Sequence, residues 1–324
     1  MIRQQALQWA KSYLKQQGES VVFEESITNS PWASVSKLVT NKRELFLKQT
    51  PTDLYCEVAV LRLLNKLEVT SIPQLVAENH SLNAFLTSSV GEVSLREISD
   101  RRLMMGLFIK GVISYAQLQR YFEDKLFLLE KVGVKDYTLD NFPALYHHLL
   151  NQQSQLLADG LLAHEYKKLQ QLTTKLIELS NKLKAYQIPE TLIHCDFHDG
   201  NLIFDSKTMA VSIIDWGEVA LSHPFFSLAG CLWNLVYQRN LDKQSKMYYK
   251  LKLELLRPWL DLYDQKHLMR AFDLAEKLNG FYAALGYQFI YMATKNEVLP
   301  ASVYKKGALS GCLRSFINVL CEKN

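Results

Sequence analysis

The chain has 324 residues, 48% of them hydrophobic and 22% charged, and carries a net charge of +4. This composition excludes a largely disordered or collagen-like chain, and the length exceeds one usual compact domain, so a two-lobed unit or two domains is expected. The mild basic excess suits anionic ligands but falls short of the clustered stripe of a nucleic-acid binder, and no run of roughly 18 apolar residues marks a membrane span.

Cys56, Cys195, Cys231, Cys312 and Cys321 are odd in number and form no C-x-x-C pair, so neither a disulfide framework nor a structural zinc site is indicated. A reducing, cytoplasmic setting fits. The opening "MIRQQALQWAKSYLKQQ" lacks the apolar stretch of a secretory signal. Ala6, Trp9, Tyr13 and Leu14 stand near helical spacing, which predicts a helix over 2–17 stopped at Gly18.

In "SITNSPWASVSKLVTNKRELFLKQT", one strand surrounds Val35, Leu38 and Val39 and another runs from Leu45 to Lys48, with "TNKR" as the turn. "DLYCEVAVLRLLNKL" has helical spacing, with Asp53 expected as its N-cap. "QLVAENHSLNAFLTSSV" reads as a second hairpin, and "TSSVG" at 87–91 is the expected hinge. Beyond it the chain is mostly helical, until "QIPE" at 187–190 breaks the run.

The break introduces "IHCDFHDGNLIFDSKTMAVSIIDWGE" (193–218), which sets two His, four Asp, one Asn and one Glu among Ile, Leu, Phe and Val. Bare carboxylates are costly to bury without a partner, and a cation is the partner expected. "LIF", the polar "DSKTM" and "AVSIID" form a β-hairpin by pattern, which would bring Asn201 and Asp215 together at its open end. Both offer hard oxygens of the kind Mg²⁺ prefers. Asp196, on the loop entering the hairpin, is placed to accept a proton from an attacking hydroxyl, the layout of a phosphoryl-transfer site.

His194, Asp196 and Asn201 stand as H-x-D-x-x-x-x-N, and "IIDWGE" puts Asp215 where protein kinases carry the Asp of D-F-G. With "HPFFSLA" downstream, the chain resembles the aminoglycoside phosphotransferase and choline kinase-like family. The resemblance implies an α+β, bilobal, protein-kinase-like fold. Residues 1–90 would form a nucleotide-binding lobe of antiparallel sheet plus helix, and 91–324 a larger, mainly helical lobe for catalysis and substrate binding. It also implies a lysine on the third strand and a glutamate on the next helix, and Lys48 and Glu57 stand there.

Roles follow from the resemblance. Asp196 is the expected base, or the group that orients the substrate hydroxyl. Asn201 and Asp215 would hold Mg²⁺, and Lys48, fixed by Glu57, would contact the phosphates of ATP or GTP. Phe46, on the Lys48 face of its strand, would line the adenine slot with Val35, Ile203 and Ile214, while backbone at Thr87, Ser88 and Ser89 binds the adenine edge. The acceptor is an unidentified hydroxyl-bearing small molecule.

Three positions depart from the family pattern. No glycine lies between Gly18 and Gly91, so "NSPWASVS" replaces the Gly-rich phosphate loop, with Ser30, Ser34 or nearby backbone N–H groups as the expected phosphate contacts, although close approach is harder without glycine. Cys195 replaces a usual Gly and would be strained if its φ were positive. Ser227 replaces an Asp that anchors the catalytic-loop backbone, and one hydroxyl offers fewer bonds than a carboxylate. A nucleotide-binding pseudokinase is therefore a competing reading, with a metal-dependent hydrolase built on "HCDFHD" behind it. His194 is expected to be structural, as is His198, Asp199 faces solvent or serves the site, and Asp205 is a turn residue. Residues 220–324 hold 14 Lys/Arg against 8 Asp/Glu, a net of +6, which argues against a polycationic acceptor and leaves choline, a sugar, an amino alcohol or a protein hydroxyl.

Overall fold

The structure, a computed structural model, describes residues 2–321. Helix α1 (Ile2–Gln16) stops before Gly18, which takes a left-handed φ of 69°. Strands β1 (Val21–Asn29), β2 (Ser34–Thr40) and β3 (Glu44–Gln49), helix α2 (Cys56–Lys66), and strands β4 (Leu75–Asn79), β5 (Ala84–Ser88) and β6 (Val93–Ser94) follow. Next come α3 (Arg101–Phe122), α4 (Leu126–Lys131), β7 (Lys135–Asp136) and the helices α5 (Phe142–Leu150), α6 (Gln153–Ala158), α7 (Ala163–Gln171) and α8 (Thr173–Lys184). Strands β8 (Thr191–His194), β9 (Leu202–Asp205), β10 (Ala210–Ile213) and β11 (Val219–Ser222) carry the charged stretch. Helices α9 (Phe225–Arg239), α10 (Lys246–Leu256), α11 (Gln265–Ala293), α12 (Ala301–Tyr304) and α13 (Ala308–Cys321) complete the chain. Among the described residues no helix is long and apolar enough to cross a membrane.

The chain divides into two compact units. The first runs to Ser94 and adds Leu202–Gly217 and Ile290–Tyr304. Its antiparallel sheet has the order β1-β2-β3-β5-β4. Ala6, Ala10 and Leu14 of α1 pack on Leu38, Leu45, Leu47 and Leu86, so alternation leaves Phe46 and Lys48 of β3 on the opposite face. A second sheet, β10-β9-β6, explains why 202–217 belongs here: Val93 pairs with Phe204 and Ser94 with Ile203.

Two expectations need correction in this unit. The sequence shows no strand at 21–25, yet β1 forms there as an edge strand. Register shifts at Val21/Phe23 and Ser26/Thr28 erase the alternation that would have marked it, and Val22, Phe23 and Ile27 stay exposed. Asp53 does not cap α2. A 3₁₀ turn over Thr52–Leu54 comes first, Tyr55 holds the N-cap position, and its N–H bonds back to the Thr52 carbonyl without any side-chain cap.

The second unit comprises Leu95–Asn201, Glu218–Phe289 and the chain from Lys305. Its small sheet, β7-β11-β8, pairs Val219 with His194 and Ala220 with Lys135. Helices enclose it with an aromatic core in which Phe225, Phe272 and Trp259 are fully buried. The aromatic run at 280–292 lies in α11, with Phe281, Tyr282 and Tyr291 buried.

Candidate active site

Lys48 leaves the β3 face that α1 does not cover and meets two carboxylates of the first unit. Its Nζ lies 2.6 Å from Glu57 Oε2 and bonds Asp215 Oδ1. Glu57 reaches it because α2 starts soon after β3, and the same carboxylate accepts the Trp216 N–H through Oε1 at 3.2 Å. Asp215 takes a left-handed φ of 67°, a conformation that Asp tolerates better than most residues. Just beyond it, Trp216 is fully buried and donates Nε1–H to the Ile213 carbonyl at 3.0 Å, so the turn is pinned from behind. A Cβ at Gly217 would stand 3.4 Å from Glu57 Oε2 and from the Leu54 carbonyl, an ordinary contact, so space alone does not demand glycine there.

Burial disfavours the Lys48 ammonium, but the charges of Asp215 and Glu57 outweigh it and raise the pKa above the ordinary lysine value. Burial raises the Glu57 pKa, with Lys48 opposing and Asp215 adding to the effect. Lys48 is therefore a firm cation between an enclosed carboxylate, 5% exposed, and an accessible one, 41% exposed.

Asp196 and Asn201 meet in the second unit. Asn201 Nδ2 donates to the Asp196 carbonyl at 2.9 Å and to Oδ2 at 3.3 Å, while Asp196 remains 48% exposed. With its NH₂ turned inward, Asn201 has Oδ1 as its remaining ligand atom. Asn201 Oδ1 and the Asp215 carboxylate are each hard oxygen donors of the kind that suits Mg²⁺. Asn201 directly precedes β9, whose first residue Leu202 pairs with Ile213, two residues before Asp215.

His198 accepts the Gly200 N–H on Nδ1 at 3.0 Å, which sets the Nε2–H tautomer, and its Nε2 lies 3.4 Å from Asp196 Oδ1. Burial favours the neutral ring, but the bond and charge of Asp196 prevail and raise its pKa. His194 is fully buried, and the Cys195 N–H donates to the Glu218 carbonyl at 2.8 Å. Cys195 is not among the residues with positive φ, so replacing the usual glycine causes no strain there.

Asp199 does not face solvent. It is buried, with Oδ1 accepting from Arg96 Nε (2.9 Å) and Nη2 (2.8 Å) and Oδ2 from Arg239 Nε (3.2 Å). Sequence reading missed both arginines, which lie 103 and 40 residues away with no local spacing to signal them.

Val35 stands opposite Lys48, Phe46 opposite Thr87, and Ile203 opposite Ser212, all half-buried except Thr87 and Ser212, which are buried. Ile214, also half-buried, follows β10. Near the adenine-edge positions, the Ser88 N–H is spent on the Gln74 carbonyl at 2.9 Å and the Ser89 N–H on the Glu44 carbonyl at 3.2 Å. In the glycine-free turn, Ser30 Oγ donates to the Ala33 carbonyl and accepts the Ala33 N–H, both at 3.1 Å, while Trp32 meets Tyr304 edge-on at 5.2 Å.

An antiparallel sheet with a lysine–glutamate pair, joined to a mainly helical part carrying the aspartate–asparagine loop, defines a protein-kinase-like α+β fold. A model of the phosphotransferase enzyme family (APH) matches residues 29–263, and the chain belongs to that family. The family is one of phosphotransferase enzymes. No curated protein matches it by sequence.

Solved structures share its fold at low identity. A Plasmodium vivax ethanolamine kinase is 12% identical, with a TM-score of 0.60 over 92% of this chain and 82% of that one. A choline/ethanolamine kinase family protein from Mesorhizobium loti is 14% identical, with a TM-score of 0.58 over 92% of each chain. The aminoglycoside phosphotransferase APH(4)-Ia, in a ternary complex with ADP and hygromycin B, is 14% identical, with a TM-score of 0.56 over 97% of this chain and 99% of that one.

Proposed function

We propose that the protein moves the γ-phosphate of ATP or GTP to the hydroxyl of a small molecule, with Mg²⁺. The observation that carries this reading is Lys48 held as a cation by both Glu57 and Asp215, the second of them accessible. In this reading Lys48 neutralises nucleotide phosphate, and Glu57 keeps its side chain from swinging away. Asn201 and Asp215 supply the oxygens for Mg²⁺, which when bound offsets charge on the phosphates. Asp196, accessible and oriented by Asn201, aligns the acceptor hydroxyl and takes its proton. Val35, Phe46, Ile203 and Ile214 provide apolar surface for the base. Because the Ser88 and Ser89 amides are already bonded, the base edge would use carbonyls at Thr87–Ser89 or the Val90 amide.

The test is to incubate the protein with Mg²⁺ and ATP or GTP and follow nucleoside diphosphate over a panel of alcohols spanning choline, amino alcohols, sugars and aminoglycosides. Turnover with one class, lost in Asp196→Asn, is expected. Nucleotide binding without turnover on any acceptor, and without slow hydrolysis, would defeat the reading in favour of a binding-only protein.

A further inference from the structure

Ser227 offers one hydroxyl where the resembled family carries an anchoring carboxylate, yet the backbone it should hold is fully bonded. The His194 N–H donates to Tyr115 Oη at 2.7 Å, and Ser227 Oγ donates to the His194 carbonyl at 3.0 Å. The two hydroxyls lie 2.8 Å apart. With the Ser227 proton on the His194 carbonyl, the Tyr115 O–H can donate across that contact, the Leu192 carbonyl at 3.5 Å being its other, longer acceptor. Hydrogen bonds therefore run from the His194 N–H through Tyr115 and Ser227 back to the His194 carbonyl, closing a ring on one residue. Gln119 Nε2, 3.3 Å away, donates to Tyr115 Oη as well. Burial raises the phenol pKa, so the proton that this ring needs stays in place.

Tyr115 also grips the loop by its ring, which stacks on Phe197 with centroids 4.2 Å apart. It comes from α3 and Ser227 from α9, so two helices clamp the start of the Asp196 loop from within the second unit. We propose that Tyr115 and Ser227 form a neutral positioning pair that fixes the His194 backbone, and through it the Asp196 loop, in place of a buried carboxylate. Such a pair avoids the desolvation of an ion and adds no negative charge beside Asp196. Neither residue touches a reacting atom. The inference rests on the reading of Asp196 as the group that handles the acceptor hydroxyl.

Tyr115→Phe keeps the ring on Phe197 and removes only the hydroxyl. It would be compared with wild type, Ser227→Asp and the double variant by two measurements. One is deuterium exchange of amides 192–201, which needs no acceptor. The other is hydrolysis of ATP or GTP with Mg²⁺, with kcat and KM determined separately. In Tyr115→Phe, exchange at His194 should quicken by roughly tenfold, and kcat should fall roughly 10- to 100-fold while nucleotide KM moves less than about twofold. In the double variant the carboxylate at 227 can accept the His194 N–H, so both measurements should return toward wild type.

Unchanged exchange in Tyr115→Phe would overturn the proposal. So would a double variant that melts like wild type yet exchanges as fast as Tyr115→Phe. Should Ser227→Asp fail to fold, Ser227→Asn supplies a neutral acceptor under the same criteria. A wild type that neither binds nor hydrolyses nucleotide would sink the proposed function, and the exchange measurement would still decide the positioning pair.

Discussion

Lys48 in the first unit sits between two carboxylates, one of them enclosed, whereas Asp196 in the second sits on a loop held largely by neutral groups. Around Lys48 a charge is fixed by opposite charges, so position and stability depend on the same bonds. Around Asp196 the backbone is tied through the hydroxyls of Tyr115 and Ser227, and the carboxylate meets only an asparagine amide and a histidine N–H. On the proposed function, a cation that holds phosphate can be neutralised at rest, because arriving phosphate adds negative charge. On the same proposal, a group that accepts a proton is better left without a firm counter-ion, since a paired carboxylate is a weaker base.

The contrast makes Asp196→Asn the most informative substitution. It should lower phosphoryl transfer by about 10²- to 10⁴-fold while leaving the melting temperature nearly unchanged, because the side chain is half exposed and buries no ion. Turnover and thermal unfolding on the same sample check this. A large drop in melting temperature would mean that the loop, too, is held by charge.

Lys48→Met should remove activity and stability together. It leaves the Glu57 carboxylate buried without its cation, at a cost of about 3–5 kcal/mol, while Asp215, accessible to water, adds little. Adding Glu57→Leu should recover most of the lost stability and none of the activity. Denaturant unfolding of the single and double variants decides it, and a Lys48→Met protein within about 1 kcal/mol of wild type would break the contrast.

Asp199 is the exception that sharpens the comparison, since it brings ionic pairing to the loop that carries Asp196. Asp199→Asn keeps the shape but removes the charge shared by Arg96 and Arg239. Both guanidiniums reach solvent, so the expected loss is about 1–3 kcal/mol. Because Asp199 opens the turn that ends at Asn201, nucleotide KM in Mg²⁺ should rise as well. A variant with wild-type stability and KM would show that the arginines serve only the surface.

What the sequence revealed depended on how locally each feature is encoded. Hairpins around "TNKR" and "DSKTM" were legible because apolar alternation and turn residues lie within a dozen positions. Lys48 and Glu57 were picked out only through the family resemblance, since a lysine at a strand end and a glutamate on the next helix carry no local signal of their own. Edge strand β1 was hidden because bulges break its alternation, and the 3₁₀ turn ahead of α2 displaced the cap expected at Asp53. Tyr115, Arg96 and Arg239 were not legible. Each meets the loop across 40 to 103 residues, and a lone tyrosine or arginine on a helix has no spacing that distinguishes a clamp from ordinary core or surface. The contacts made to the Asp196 loop are thus long-range and tertiary, whereas Asp196 and Asn201 lie within one short stretch of sequence.

Glu190 tests the smallest effect, a carboxyl in the second unit with neither a cation in contact nor a ring of hydroxyls. Its Oε1 accepts the Leu139 N–H at 2.6 Å, and nearby Lys184 is already paired with Asp140. Burial, reinforced by Asp140 and Asp136 and opposed by Lys184, pushes the Glu190 carboxyl up to about 7. A folded-state pKa above the unfolded one means that the folded protein binds more protons between them. The contribution is present in full below the unfolded value of about 4.3 and is lost as pH rises through about 7. Glu190→Gln still offers an oxygen to the Leu139 N–H but cannot ionise, so it should match wild type near pH 4 and exceed it at pH 8. Solvent reaches this half-buried side chain, so the gain should be about 1 kcal/mol. The difference in melting temperature between variant and wild type, followed from pH 4 to 8, gives the answer: a difference that grows with pH supports an isolated buried acid, and a flat one means that Lys184 already serves as its counter-ion.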